Sequence, residues 1–103
     1  MTDLVQFLSN EIVLANSTVA AANTISNANV VRVINTDASV SALIIIKDSN
    51  GTTKGTFALG HHGTDFGQEY IIKLPTDTIQ ANNISNTGAY NGTGVKAVSV
   101  AYR

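Results

Sequence analysis

The chain contains no cysteine, which excludes disulfides, a thiol nucleophile and a thiolate metal site. Its folding therefore needs no oxidising compartment. Charge is scarce: 13% of the residues are Asp, Glu, Lys or Arg, about half the usual share. The net charge is −1 and the basic residues do not cluster. This excludes nucleic acid as a partner, because non-specific binding to it draws on clustered cations. Tryptophan is absent, proline occurs once, and the longest apolar run is Ala42-Leu43-Ile44-Ile45-Ile46. That run is far short of the ~20 residues of a membrane-spanning helix. No stretch has the basic start, apolar core and cleavage site of a signal peptide. The expectation is a protein made in the cytoplasm, with no membrane partner and no signal-peptide export.

What remains is apolar and neutral-polar. The apolar fraction is 44% over 103 residues, enough for one domain with a single core. Polarity comes from Ser, Thr and above all Asn, which occurs eleven times. Such a neutral, hydrogen-bonding surface is suited to lying against other protein.

Residues 40–59 organise the chain. The run Ala42-Leu43-Ile44-Ile45-Ile46 is apolar at successive positions, so both faces of this strand need cover and it belongs at the centre of a sheet. Asp48-Ser49-Asn50-Gly51 follows, and Asn-Gly readily supplies the positive φ angles of a tight hairpin turn. Thr53-Lys54-Gly55-Thr56-Phe57-Ala58-Leu59 reads as the antiparallel partner. Val30-Val31-Arg32-Val33-Ile34-Asn35 alternates, with Val31 and Val33 on one face and Val30, Arg32 and Ile34 on the other. Residues 11–15, 69–74, 76–80 and 95–103 also read as strands, with Pro75 as punctuation. In the last of them Val98, Val100 and Tyr102 share a face. The small residues Ala97, Ser99 and Ala101 share the other, which suits close contact with a second sheet or a subunit. Residues 18–25 predict a weak strand, 26–29 a turn, and 60–67 and 81–94 loops.

The predicted fold class is therefore all-β: a single small antiparallel β-sandwich, immunoglobulin-like or jelly-roll-like, of about seven strands over residues 11–103. Residues 1–10 form an N-terminal arm or a short helix ahead of it. Leu4, Phe7 and Leu8 fall at helical spacing, while Val5 and Phe7 alternate as in a strand. Leu4, Val5, Phe7 and Leu8 together place four large apolar side chains at a terminus, and they are the candidate interface with a neighbouring subunit.

Catalytic and metal chemistry find little support. His61 and His62 adjoin Asp65 in a glycine-rich loop, but zinc takes four ligands and adjacent histidines in an extended segment point opposite ways. The expectation is no metal, no cofactor and no catalytic residue, with His61 and His62 as loop contacts. No serine sits in a nucleophile-elbow setting, and nothing fixes a carboxylate pair; the chain is not expected to be an enzyme. Tyr90, in the long polar loop, is the one aromatic placed to stack on a sugar, as a carbohydrate-binding adhesion module would require.

Three pieces in order, Val30-Val31-Arg32-Val33-Ile34-Asn35-Thr36, the hairpin end Asn50-Gly51-Thr52-Thr53-Lys54-Gly55-Thr56-Phe57, and Lys73-Leu74-Pro75-Thr76-Asp77-Thr78-Ile79 with the ending Lys96-Ala97-Val98-Ser99-Val100-Ala101-Tyr102, resemble small virion structural proteins of tailed phages. The likeness is to the T4-like phages of marine cyanobacteria and covers residues 30–103. It implies a decoration or cement protein bound in many copies to a capsid, with a neck, tail or fibre component as the alternative. It implies other virion proteins as partners, a homo-oligomer and a virion location. No catalytic residue is carried over.

Overall fold

β-Branched and alternating segments become strands, and the polar, Gly- and Asn-rich segments between them become turns. The structure, a computed structural model, describes residues 5–8, 10–15, 22–62, 67–88, 90, 92 and 94–102, with backbone alone at Val5, Gln6 and Tyr102. Eight strands lie among the described residues: β1 (Val5–Phe7), β2 (Ile12–Ala15), β3 (Val30–Asn35), β4 (Ala42–Lys47), β5 (Thr53–Leu59), β6 (Gln68–Ile72), β7 (Thr78–Asn83) and β8 (Val95–Tyr102). One sheet runs β1-β8-β3-β6, with β2 also pairing β8; the other runs β5-β4-β7. All pairings are antiparallel.

β1 and β2 share one side of β8, β1 at Val100–Tyr102 and β2 at Val95–Ala97, so they act as one interrupted edge. Asn23 extends the second sheet by a bridge to Ile79 on β7. From β3 onward only the β4–β5 connection stays within a sheet. The order β2-β8-β3-β6 over Asn23-β7-β4-β5 is that of a jelly roll, not of an immunoglobulin sandwich. Its loops gather at two ends. At one, residues 36–41 meet His62 and Gly94; at the other, Lys73 meets Asn29.

The core is the space between the two sheets. Val31 and Val33 of β3 and Val95 and Ala97 of β8 face Ala42 and Ile44 of β4, Leu59 of β5, and Ile79 and Ala81 of β7. The small face of β8 is thus the one turned to the second sheet. Leu14, Ala15, Ile25 and Ile71 close its margins.

β4 is central in its sheet, with Ile44 fully buried in that core. Ile45 points the other way and is still only 5% exposed. Its cross-strand neighbours Thr56 and Gln80 flank it, and it lies outside the core cluster between the sheets.

Three local features depart from the sequence reading. The β4–β5 turn has positive φ at Gly51 alone, not at Asn50. Gly51 N–H donates to the Asp48 carbonyl, and Asp48 Oδ1 accepts from the N–H groups of Asn50 and Thr52. The aspartate thus holds a longer loop that ends in a left-handed glycine. β7 runs to Asn83, beyond the predicted end, because Asn83 Oδ1 accepts from Thr87 N–H and closes the following turn. Ile25, Ser26 and Asn27 are all left-handed, with φ of 54°, 58° and 56°. This conformation costs a β-branched residue about 1–2 kcal/mol, and burying the Ile25 side chain, worth about 1.5–3 kcal/mol, offsets it. The predicted weak strand over 18–25 lies partly outside the described residues; its described part gives only the Asn23 bridge.

Ile44→Ala is expected to cost about 2–5 kcal/mol, the range for a large-to-small change in a packed core. Ile45→Ala should cost less, because Ile45 lies outside the core cluster that packs around Ile44. Denaturant unfolding of both variants measures this, and equal losses would mean that a further layer covers β4.

Candidate interaction surface

Strand alternation sends every second residue of the larger sheet away from the core. On β3 these are Val30, Arg32 and Ile34; the register places Lys96, Val98 and Val100 beside them on one side and Gln68, Tyr70 and Ile72 on the other. Phe7, opposite Val100, and Val13, opposite Lys96, extend the face across the edge. Phe7 is 59% exposed, Tyr70 40% and Ile72 83%. Val13 is exposed too, and so is Leu8, at the rim next to Phe7.

Arg32 stands in the middle of this face with its charge answered on each side. Its Nε donates to Gln68 Oε1 at 3.1 Å, and a terminal nitrogen lies 3.4 Å from Glu11 Oε2. The guanidinium sits 5.8 Å from the centre of the Phe7 ring, within cation–π range. Phe7, Leu8, Asn10, Glu11, Arg32 and Val98 line a shallow open hollow. The result is an apolar, electrically balanced surface. It offers contact area to another protein and no focused charge to a small ionic substrate.

Of the predicted site residues, Phe7 and Leu8 belong to this surface. Within the predicted arm, the backbone of Val5–Phe7 is a strand of the chain's own sheet. Leu4 and the Val5 side chain lie outside the described residues. Val13, Tyr70 and Ile72 were not singled out by sequence; alternation within residues 11–15 and 69–74 is the signal that finds them.

Tyr90 corrects the stacking expectation. It is fully buried, and its hydroxyl donates to Asn35 Oδ1 at 2.8 Å. The same oxygen accepts from Asp37 N–H, and Asn35 Nδ2 donates to the Val40 carbonyl. Asn35 thus ties the end of β3 to two loops. The Tyr90 ring fills the space that a Cβ at Gly92 would need, so glycine is required there. Burial first, then the nearby Asp37 carboxylate, raises the Tyr90 phenol above its ordinary value.

His61 and His62 lie at this same end. His62 N–H donates to the Asp37 carbonyl, and His61 Nδ1 is 3.2 Å from the His62 carbonyl oxygen. Among the described residues, no three His, Asp or Glu side chains are gathered to hold a metal; Asp65 lies outside them.

At the opposite end, the segment Lys73–Ile79 is built as a turn. Asp77 N–H donates to the Leu74 carbonyl, with Pro75 in the second turn position. The buried Asp77 carboxylate accepts from Lys54 Nζ at 2.8 Å and from Leu74 N–H at 3.1 Å. Lys73 Nζ donates to the Leu74 and Pro75 carbonyls. The Lys54 hydrogen bond holds the Asp77 carboxyl below its usual range, while burial lowers Lys73. These contacts account for the segment structurally.

Asn35→Ala is expected to cost more than Tyr90→Phe in chemical denaturation. The first strands three buried groups at about 1–3 kcal/mol each when unsatisfied, whereas the second removes one bond worth about 0.5–1.5 kcal/mol. Equal effects would show that Asn35 is not the tie. Asp77 has a lowered folded-state value, so as pH falls the unfolded chain takes up its proton first. Its stabilisation is complete above the ordinary carboxylate range and is lost as pH drops through the lowered folded value. Asp77→Asn should therefore reduce the acid slope of a pH–stability profile; an unaltered slope would place the dependence elsewhere.

Among the described residues no helix is long and apolar enough to cross a membrane. Compared with protein-family models, curated proteins and solved structures, the chain matches none.

Proposed function

We propose that the chain is a non-enzymatic structural protein of a tailed-phage virion, a capsid decoration or cement module held in many copies by neighbouring virion proteins. The observation that carries this reading is the set of exposed apolar side chains on the outer side of the larger sheet, Phe7 and Val13 at one margin and Tyr70 and Ile72 at the other. Exposed apolar surface beside polar residues marks contact with other protein, and Arg32 on this face is balanced by Glu11 and Gln68. Low overall charge and an Asn-rich surface suit packing among many identical neighbours. The jelly roll is an architecture used by capsid and lectin domains, but fold alone assigns no function. With Tyr90 buried, the carbohydrate-adhesion reading loses its stacking residue.

Quantitative mass spectrometry of purified virions tests the assignment. A copy number on the scale of the major capsid protein is expected; a low, ring-like number would place the module at the neck, tail or fibre, and absence from particles would end the reading. The face is tested by Phe7→Asp combined with Val13→Asp. Exposed substitutions change stability by only about 0.5 kcal/mol each, so the melting temperature should hold. Particle occupancy should fall about tenfold or more, the effect of losing some 1.4 kcal/mol of binding.

A further inference from the structure

β1 is fastened to the sandwich by its ladder with β8. Val5 pairs with Tyr102, Gln6 with Ala101 and Phe7 with Val100. Leu8 N–H continues the ladder to the Ser99 carbonyl at 2.8 Å. β2 takes the other half of the same β8 edge and sends Leu14 and Ala15 into the core between the sheets. Phe7 does not enter that core. Its ring lies near Arg32 on the outer face, 59% exposed, and Leu8 beside it is 57% exposed. A strand whose side chain stands in water opens at lower cost than one that fills a core.

The link from β1 to β2 has length to spare. Phe7 lies opposite Val100 and Ile12 opposite Ala97, so five residue steps on this edge answer three on β8. Five steps of extended chain reach about 17 Å, whereas three steps along β8 cover about 10 Å. Packed sheets lie about 10 Å apart, so β1 can reach the β8 of a second sandwich alongside. The place it leaves must be refilled. Val98 and Val100, on the outer side of β8, are buried, and the Ser99 carbonyl would lose its Leu8 donor.

We infer that β1 exchanges between copies of this chain, the β1 of each occupying the β8 edge of the other. The incoming segment carries the same residues, so every β1–β8 pairing re-forms in the same register, with Phe7 over Arg32 of the second copy. Only the link changes its path. Reciprocal exchange closes as a two-fold dimer. The gain lies at the crossing, where Phe7, Leu8 and Val13, exposed in the closed chain, come between the two sandwiches. Joining two copies makes the balance depend on concentration, with the closed chain favoured when dilute and the exchanged dimer when crowded. The inference needs no unfilled edge, and it stands whether or not the module belongs to a virion.

The exchanged register can be read by cross-linking, because the chain has no cysteine of its own. Leu8 and Ser99 form a hydrogen-bonded pair, so alternation makes Phe7 and Val100 a non-hydrogen-bonded pair with Cα atoms about 4.5 Å apart, inside disulfide range. Phe7→Cys and Val100→Cys are placed in separate chains and refolded together at millimolar concentration. Oxidation should then give the mixed disulfide dimer in several-fold excess over either homodimer. With both substitutions in one chain, the disulfide should form internally after refolding at micromolar concentration and between chains at millimolar. Gln6→Pro removes the N–H that alternation directs to Ala101, in the closed and the exchanged form alike. Sedimentation equilibrium should show a folded monomer for this variant throughout and a species of twice the chain mass for the wild type at millimolar concentration. A mixed disulfide no more abundant than the homodimers would overturn the inference. So would a double variant that closes only internally at millimolar concentration, or a dimer that survives Gln6→Pro.

Discussion

A two-layer sandwich packs one face of each sheet against the other. That constraint decides most of what this chain does with its apolar residues. The inner faces are filled by Val31, Val33, Val95 and Ala97 on one side and by Ala42, Ile44, Leu59, Ile79 and Ala81 on the other. Small residues on β8 let the sheets approach, and Ile44 occupies the centre. Once that space is full, every further apolar side chain must lie outward. On the smaller sheet this outward surface, Leu43 and Ile45 of β4 apart, is largely polar, with Lys54 and Thr56 on β5 and Gln80 and Asn82 on β7. On the larger sheet it is not.

The asymmetry between the two outer faces gives the module its proposed use. Phe7, Val13, Tyr70 and Ile72 remain in water although each has apolar area to bury, and Arg32 among them is already balanced. A face of this kind gains from contact with protein and little from contact with ions. Polar work is confined to the two ends: Asn35 and Tyr90 fasten one set of loops, Asp77 with Lys54 and Lys73 the other. Both clusters are hydrogen-bonded anchors for backbone.

Much of the fold was legible in the sequence because it rests on periodicity. The alternation in β3, the continuous apolar run of β4 and the small-residue face of β8 each specify a strand and its buried side. Strand order was not legible, since pairings such as β3 with β8 join segments far apart in sequence, and jelly-roll and immunoglobulin patterns share the same local signals. The left-handed turn at Ile25 was hidden because it contradicts the preference of a β-branched residue and is held by burial. Tyr90 was misplaced for a related reason: its glycine-rich surroundings suggest an exposed loop, yet Gly92 is there to make room for the ring. The interaction surface was half visible, in Phe7 and Leu8. Its other members sit in strands whose outward side cannot be named until the inward side is known.

Hydroxyl-radical footprinting of the isolated protein and of the protein assembled on its particle tests the central claim most directly, because it reads side-chain cover on both outer faces at once. The account requires Phe7, Val13, Tyr70 and Ile72 to react strongly in the isolated state and to become protected on assembly, while Leu43 on the outer side of the smaller sheet stays unchanged. Protection of the smaller sheet with continued reactivity of Phe7 and Val13 would contradict it.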